Sequence, residues 1–153
     1  SFRFLVCGVN NINKEVYSDF KKFKNATLYF DKTYEAVSSS DVAVVISGTA
    51  SLEVSLLKVP QVVVYKTSYL SYLIGRLLIK TKYISLVNLV LERDVVTELI
   101  QGDFNKERVI SEIEILYNKN NRIKISRSYD EIRNRIGDKI TENEVCEMLI
   151  KEL

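Results

Sequence analysis

The chain has 153 residues, 46% of them hydrophobic, and its 22 Lys and Arg against 20 Asp and Glu leave a net charge of +2. That suffices for one domain with a full core and excludes the dense basic surface of a nucleic-acid-binding protein. Histidine is absent, which removes Ser/His and Cys/His nucleophile systems and imidazole metal sites, so any general base is a carboxylate or lies outside this chain. Phe2 to Cys7 reads as a buried strand closed by Gly8 and the Asn10, Asn11 turn. Because Ser1 is not an initiator methionine and the apolar strand begins at once, we expect a piece of a longer protein. Lys14 to Phe23 has Val16, Phe20 and Phe23 at helical spacing, Ala26 to Phe30 is a second strand, and Thr33 caps a short helix carrying Tyr34 and Val37. Val42 to Ile46 is a third strand whose uninterrupted Val/Ile content predicts burial on both faces.

The peptide Ser47, Gly48, Thr49, Ala50, Ser51, Leu52, Glu53 follows that strand without a break and opens a helix through Leu56 and Leu57 that ends before Pro60. A strand, tight turn and helix junction stands at the carboxyl end of a strand, where free backbone N–H groups and the positive end of the helix dipole hold an anion. With Thr49 as N-cap, Glu53 is four residues on, outside the reciprocal capping register, so its carboxylate is free to accept hydrogen bonds from the two hydroxyls of a ribose. The bland alternative is an ordinary strand exit with a dipole-favoured glutamate.

Gln61 to Tyr65 is a fourth strand and Tyr83 to Leu86 a candidate fifth. The alternation predicts a parallel sheet with helices on both faces, an α/β Rossmann-like fold. Between these strands, Leu70, Leu73, Ile74, Leu77 and Leu78 form one stripe of a Tyr69 to Ile79 helix, while Tyr69, Tyr72 and Ile79 extend the apolar surface and Lys66, Arg76, Lys80 and Lys82 are its only charges. Such a helix is either a core element with a tyrosine rim or one that lies in a membrane interface.

Helices are then expected at Arg93 to Gln101, from Asn105 through Leu116, at Ser128 to Ile136 ending before Gly137, and last behind a Thr141, Glu144 capping box with Val145, Met148 and Leu149 on one face. Asn118 to Asn121 reads as a linker. Cys7 and Cys146 make neither a metal spacing nor a disulfide framework and fit a reducing cytoplasm. No apolar stretch is long and uncharged enough to cross a bilayer.

Four segments together resemble the lipid-A-disaccharide synthases, nucleotide-sugar glycosyltransferases of the two-domain GT-B architecture. They are Ser47 to Glu53 after Ser40 and Asp41, Val59 to Lys66, Tyr83 to Leu89, and Glu98 to Gln101. The resemblance runs over essentially the whole chain. It implies the C-terminal, donor-binding half, with a nucleotide-sugar domain over residues 1–117 lacking its first strand. Helices over 118–153 would then pack on an absent N-terminal domain or a partner. Two departures stand out: Val87 where many relatives have proline, and Leu91, Glu92, Arg93 where many have Ala-Gly-Arg.

The resemblance further implies transfer of a diacylated glucosamine from a UDP donor to an acyl-sugar phosphate acceptor, with no cofactor and no metal. Ser47, Gly48, Thr49 and Ala50 would hold the diphosphate and Glu53 the ribose, while the loop at Phe30 and Asp31 would border the uracil. Asn88 would contact the donor or the neighbouring loops, its alternative being a turn asparagine. Tyr65 and Lys66 would face the same cleft, Lys66 otherwise being a solvated lysine, and Gln101 is a further donor contact. The catalytic base is expected in the missing domain and none is assigned here. Acylated substrates favour contact of Tyr69, Leu70, Tyr72, Leu73, Arg76 and Leu77 with the cytoplasmic surface of the inner membrane. A homodimer stays open. The competing readings are another GT-B enzyme using a UDP-N-acetylglucosamine type of donor, or a non-catalytic nucleotide-binding module.

Overall fold

The computed structural model describes residues 2–68 and 81–137. Its residues fall into two compact units, 1–41 and 42–153. The expected Tyr69 to Ile79 helix and the capping box at Thr141 lie outside the described residues.

The first unit pairs β1 (Phe4–Gly8) with β2 (Ala26–Phe30) in parallel, Phe4 opposite Ala26 and Gly8 opposite Phe30. The Phe30 ring packs close over Gly8, where a Cβ would lie 2.5 Å from Phe30 Cε1 and would displace the ring. A short helix, α1 (Thr33–Ser38), follows, and its buried residue is Ala36. The crossover from β1 differs from expectation. Lys14–Lys22 is a 3-10 helix, and Val16, Phe20 and Phe23 are exposed. Their 4,3 spacing makes one stripe at 3.6 residues per turn, whereas at three per turn Val16 points about 120° away from Phe20 and Phe23. Tyr17 turns inward instead, its hydroxyl accepting from Val9 N at 3.1 Å and its ring meeting Phe30 edge-on at 5.5 Å.

The second unit is a three-stranded parallel sheet in the order β3 (Ala43–Ile46), β4 (Gln61–Tyr65), β5 (Thr97–Ile100). Helix α2 (Thr49–Leu56) joins β3 to β4, α3 (Leu86–Leu91) precedes β5, and a 3-10 turn at Gln101–Asp103 leads to α4 (Lys106–Tyr117) and α5 (Lys119–Ile136). The pleat of β4 divides the core. Val63 joins Leu52, Val87, Leu91, Val96, Tyr129, Ile132 and Ile136 on one side, and Val62 and Val64 join Leu99 and Leu116 on the other. Burial on both faces is thus a property of the middle strand. In β3, Val45 is buried but Val44 and Ile46 are 47% and 73% exposed, because β3 is an edge strand and α4 packs on β4 and β5.

Three other expectations are corrected. Tyr83 to Leu86 is not a strand, since Ser85 is the N-cap of α3, its Oγ accepting from Asn88 N at 3.2 Å. The strand lies instead within the expected Arg93 to Gln101 helix, Val62 pairing with Thr97 and Tyr65 with Ile100. The slot beside β4 overrides a pattern that reads equally well at helical spacing. Asn118 to Asn121 is not a linker: Asn118 alone separates α4 from α5, its Oδ1 accepting from Asn120 N at 2.9 Å.

Helix α5 therefore starts nine residues ahead of the expected Ser128, at Lys119, and the apolar face of its second half packs into the core. Tyr129 and Ile132 are fully buried, and burial raises the Tyr129 phenol above its ordinary range. Gln61 Nε2, also buried, donates to Ser51 O at 2.8 Å and Tyr129 Oη at 3.3 Å, so α2, the start of β4 and α5 share one buried amide. Arg135 donates to Val90 O at 2.7 Å, at the carboxyl end of α3.

Candidate functional site

The three strands of the second unit end side by side, with Ile46 opposite Val64 and Tyr65 opposite Ile100. Ser47, Lys66 and Gln101 follow those ends directly, so they stand on one edge of the sheet. Ser47 N donates to Val64 O at 2.9 Å, which extends the ladder by one residue before the chain turns.

Gly48 makes the turn, at φ 147° and ψ −162°. No atom lies within 4 Å of where its Cβ would be, so the backbone rather than crowding demands glycine, in a region essentially closed to other residues. Gly48 is also the N-cap of α2, with no side-chain capping bond, and its carbonyl accepts from Ser51 N at 3.2 Å and Ser51 Oγ at 2.8 Å. Thr49 is thus the first helical residue and not the cap. Glu53, half-buried, falls in the second turn, and the first turn carries no acidic residue. Thr49 and Ala50 are exposed, and amides of a first turn have no intrahelical partner. A helix dipole ends here on open backbone donors with no carboxylate of its own, the chemistry that holds an anion.

The other expected site residues divide. Tyr65 and Lys66 are exposed at the end of β4. Ser47 is tied down, its Oγ donating to Ile84 O at 2.7 Å, so the hydroxyl proton expected for a phosphate serves the fold. Asn88 is not at a strand end, and it lines the cavity beside Glu98. It sits in α3 with 1% exposure. Its Nδ2 donates to Val96 O and Glu98 Oε1, both at 2.9 Å, and its Oδ1 accepts from Val95 N at 2.8 Å and Val96 N at 3.0 Å. Four bonds use the full capacity of the amide. Gln101 likewise faces backbone, its Oε1 accepting from Thr67 N at 2.9 Å and its Nε2 donating to Thr67 O at 3.1 Å.

Phe30 and Asp31 belong to the first unit. The Phe30 ring carries Lys14 Nζ at 5.1 Å from its centroid. Asp31 has a left-handed φ of 57° and accepts a hydrogen bond from the Asn10 side chain. Tyr69, Leu70, Tyr72, Leu73, Arg76 and Leu77 lie outside the described residues.

Glu98, quoted above only as part of a motif, is the residue whose role the sequence did not disclose. One of its oxygens accepts from Ser85 N at 2.9 Å, Ser85 Oγ at 2.7 Å and Asn88 Nδ2 at 2.9 Å, and the other from Ile84 N at 3.0 Å. The available signal was a carboxylate between Val96 and Leu99, both buried, since a charge beside a core strand needs several donors. A cavity of about 390 Å³ opens next to it, lined in part by Lys82, Tyr83, Asp94 and Thr97; it does not include the Gly48 turn. Among the described residues no group of three or more Cys, Asp or Glu could hold a metal ion, and no helix is long and apolar enough to cross a membrane.

A parallel α/β sheet with a glycine turn and an open helix N-terminus at its carboxyl edge defines the class, the Rossmann-like ligand-binding domains. The family is narrower: the model for lipid-A-disaccharide synthetase matches residues 1–150, and the chain belongs to that family. A lipid-A-disaccharide synthase from Syntrophus aciditrophicus (strain SB) is 49% identical over 106 residues, 69% of this chain and 28% of the relative. Those from Anaeromyxobacter sp. (strain K) and Myxococcus xanthus (strain DK1622) are 48% identical over 85 residues and 42% over 105, covering 56% and 68% of this chain and 22% and 27% of the relatives. The chain thus spans between a fifth and a third of the length of the relatives it matches.

Proposed function

We propose that this chain is the donor-binding part of a glycosyltransferase of lipid A biosynthesis. The reaction moves diacylglucosamine from UDP-2,3-diacylglucosamine to 2,3-diacylglucosamine 1-phosphate, giving lipid A disaccharide 1-phosphate and UDP. The observation that carries the reading is the Gly48 turn, whose bare helix N-terminus suits a diphosphate and the charge that grows on it as UDP leaves. The Gly48, Thr49 and Ala50 amides hold the diphosphate, Lys66 adds a point charge, and Glu53 takes the ribose hydroxyls. The nucleotide-sugar domain occupies residues 1–117, with α5 closed onto it. No catalytic base is assigned to this chain; an N-terminal acceptor domain supplies it. The protein works at the cytoplasmic face of the inner membrane, where residues 69–79 meet the acyl region.

Isothermal titration of UDP into the full-length protein and into Glu53→Ala tests the site. Loss of hydrogen bonds to a charged group predicts weaker binding by about 1 to 3 kcal/mol, and an unchanged affinity would remove Glu53 from it. Liposome flotation of the full-length protein with Leu70 and Tyr72 changed to Glu tests the membrane contact, which predicts reduced flotation.

A further inference from the structure

We propose that Glu98 and Gln101, at the end of β5, are positioning residues that set the shape of the donor site by gripping the backbone on either side of it. The proposal rests on the reading that this edge holds the nucleotide diphosphate.

Between β4 and α3 the chain leaves the sheet edge after Tyr65 and returns at Ser85. Both of those points are held from β5. On the outgoing side, Gln101 closes a two-bond ring with Thr67, 2.9 Å to its N–H and 3.1 Å to its carbonyl. A side-chain amide here imitates a neighbouring strand, and it fixes the peptide that follows Lys66. Gln101 itself has φ 53°, a left-handed conformation that a non-glycine residue keeps only where its surroundings enforce it.

On the returning side, Glu98 takes the N–H of Ile84 at 3.0 Å and that of Ser85 at 2.9 Å. The carbonyl of Ile84 in turn accepts from Ser47 Oγ at 2.7 Å. Residue 84 therefore relays the position of Glu98 to the residue that precedes Gly48. With four donors on its two oxygens, Glu98 has little capacity left for a ligand. Neither residue needs to touch substrate to govern where Lys66 and the Gly48 amides stand.

Near-isosteric variants of the full-length protein separate this role from bulk stability. In Glu98→Gln, one carboxylate oxygen becomes an NH2 group that cannot accept from Ile84 N–H. In Gln101→Glu, a carboxylate oxygen confronts the Thr67 carbonyl. Each is expected to raise the KM for the UDP-sugar and the Kd for UDP about tenfold, the scale of one charge-assisted hydrogen bond, with the acceptor KM unchanged. Ser47→Ala combined with Glu98→Gln is expected to lose no more donor affinity than the weaker-binding single variant, because both act through Ile84. Variants that bind UDP like the parent overturn the proposal, as does a rise in acceptor KM equal to that for the donor, or strict additivity of the Ser47 and Glu98 changes. A parent protein that binds no UDP overturns the donor reading itself and the proposal with it.

Discussion

Two helices of the second unit begin at the same edge of the sheet and treat their first turns in opposite ways. At α3 the cap is built from side chains: Ser85 Oγ caps Asn88 N at 3.2 Å, and Glu98 takes the Ile84 and Ser85 amides. At α2 the cap is Gly48, with no side-chain bond and no acid in the first turn. Helix ends in folded proteins are normally satisfied by caps or water, and the contrast is what the proposed donor site rests on. A carboxylate occupies the positive end of one helix, and the other has neither a side-chain cap nor a first-turn acid.

The largest effect in this comparison is expected on the closed side. Asn88→Ala strips partners from the Val95 and Val96 amides, the Val96 carbonyl and Glu98. It should destabilise the protein by about 3 kcal/mol or more, read from the urea midpoint at unchanged slope. On the open side, Gly48→Ala forces a side chain into φ 147° and is expected to cost about 2 kcal/mol of stability and to weaken UDP binding as the turn shifts.

Thr49→Asp sharpens the contrast further, because it gives α2 the first-turn acid that it lacks. Stability should rise by about 0.3 to 1 kcal/mol while UDP affinity falls through charge repulsion. If UDP binding by titration rose instead, the α2 terminus would not be the diphosphate site. A similarly small effect, without consequence for binding, concerns the far end of α3, where Glu92 is the C-cap with φ 52° and ψ 29°. A side chain is thus held in a left-handed conformation that glycine adopts without cost. Glu92→Gly is expected to stabilise by about 0.5 to 1 kcal/mol, seen as a higher melting temperature with no change in UDP affinity.

The strand, glycine turn and helix at Gly48 were legible in the sequence because their signal is local. A β-rich run, a small residue able to take positive φ and a helix-forming stretch are adjacent in the chain, and the edge on which they act follows from the parallel alternation. Only the register was missed, since Gly48 caps the helix without a side chain and Thr49 looked the better cap. The hydrogen-bond partners on the closed side were not legible. Asn88 read as a contact to the donor or the neighbouring loops, or as a turn asparagine, and Gln101 as a donor contact, because a polar residue near a strand end invites such roles. What satisfies them is backbone 8 and 34 residues away at Val96 and Thr67, and no local pattern states such a pairing.

The same division holds for the fold. Composition and the spacing of apolar runs by themselves determined a parallel α/β protein, the glycine turn and the motifs of its family, because hydrophobic periodicity and backbone restriction act over a few residues. Tertiary structure alone decided that Thr97–Ile100 is the strand and Leu86–Leu91 the helix, that β4 rather than β3 is the strand buried on both faces, and that α5 closes the core through Tyr129 and Ile132. Those outcomes depend on which surfaces meet after the chain has folded back on itself, when the burial of an apolar face and the pairing of every polar group it carries outweigh the weaker preferences of each segment alone.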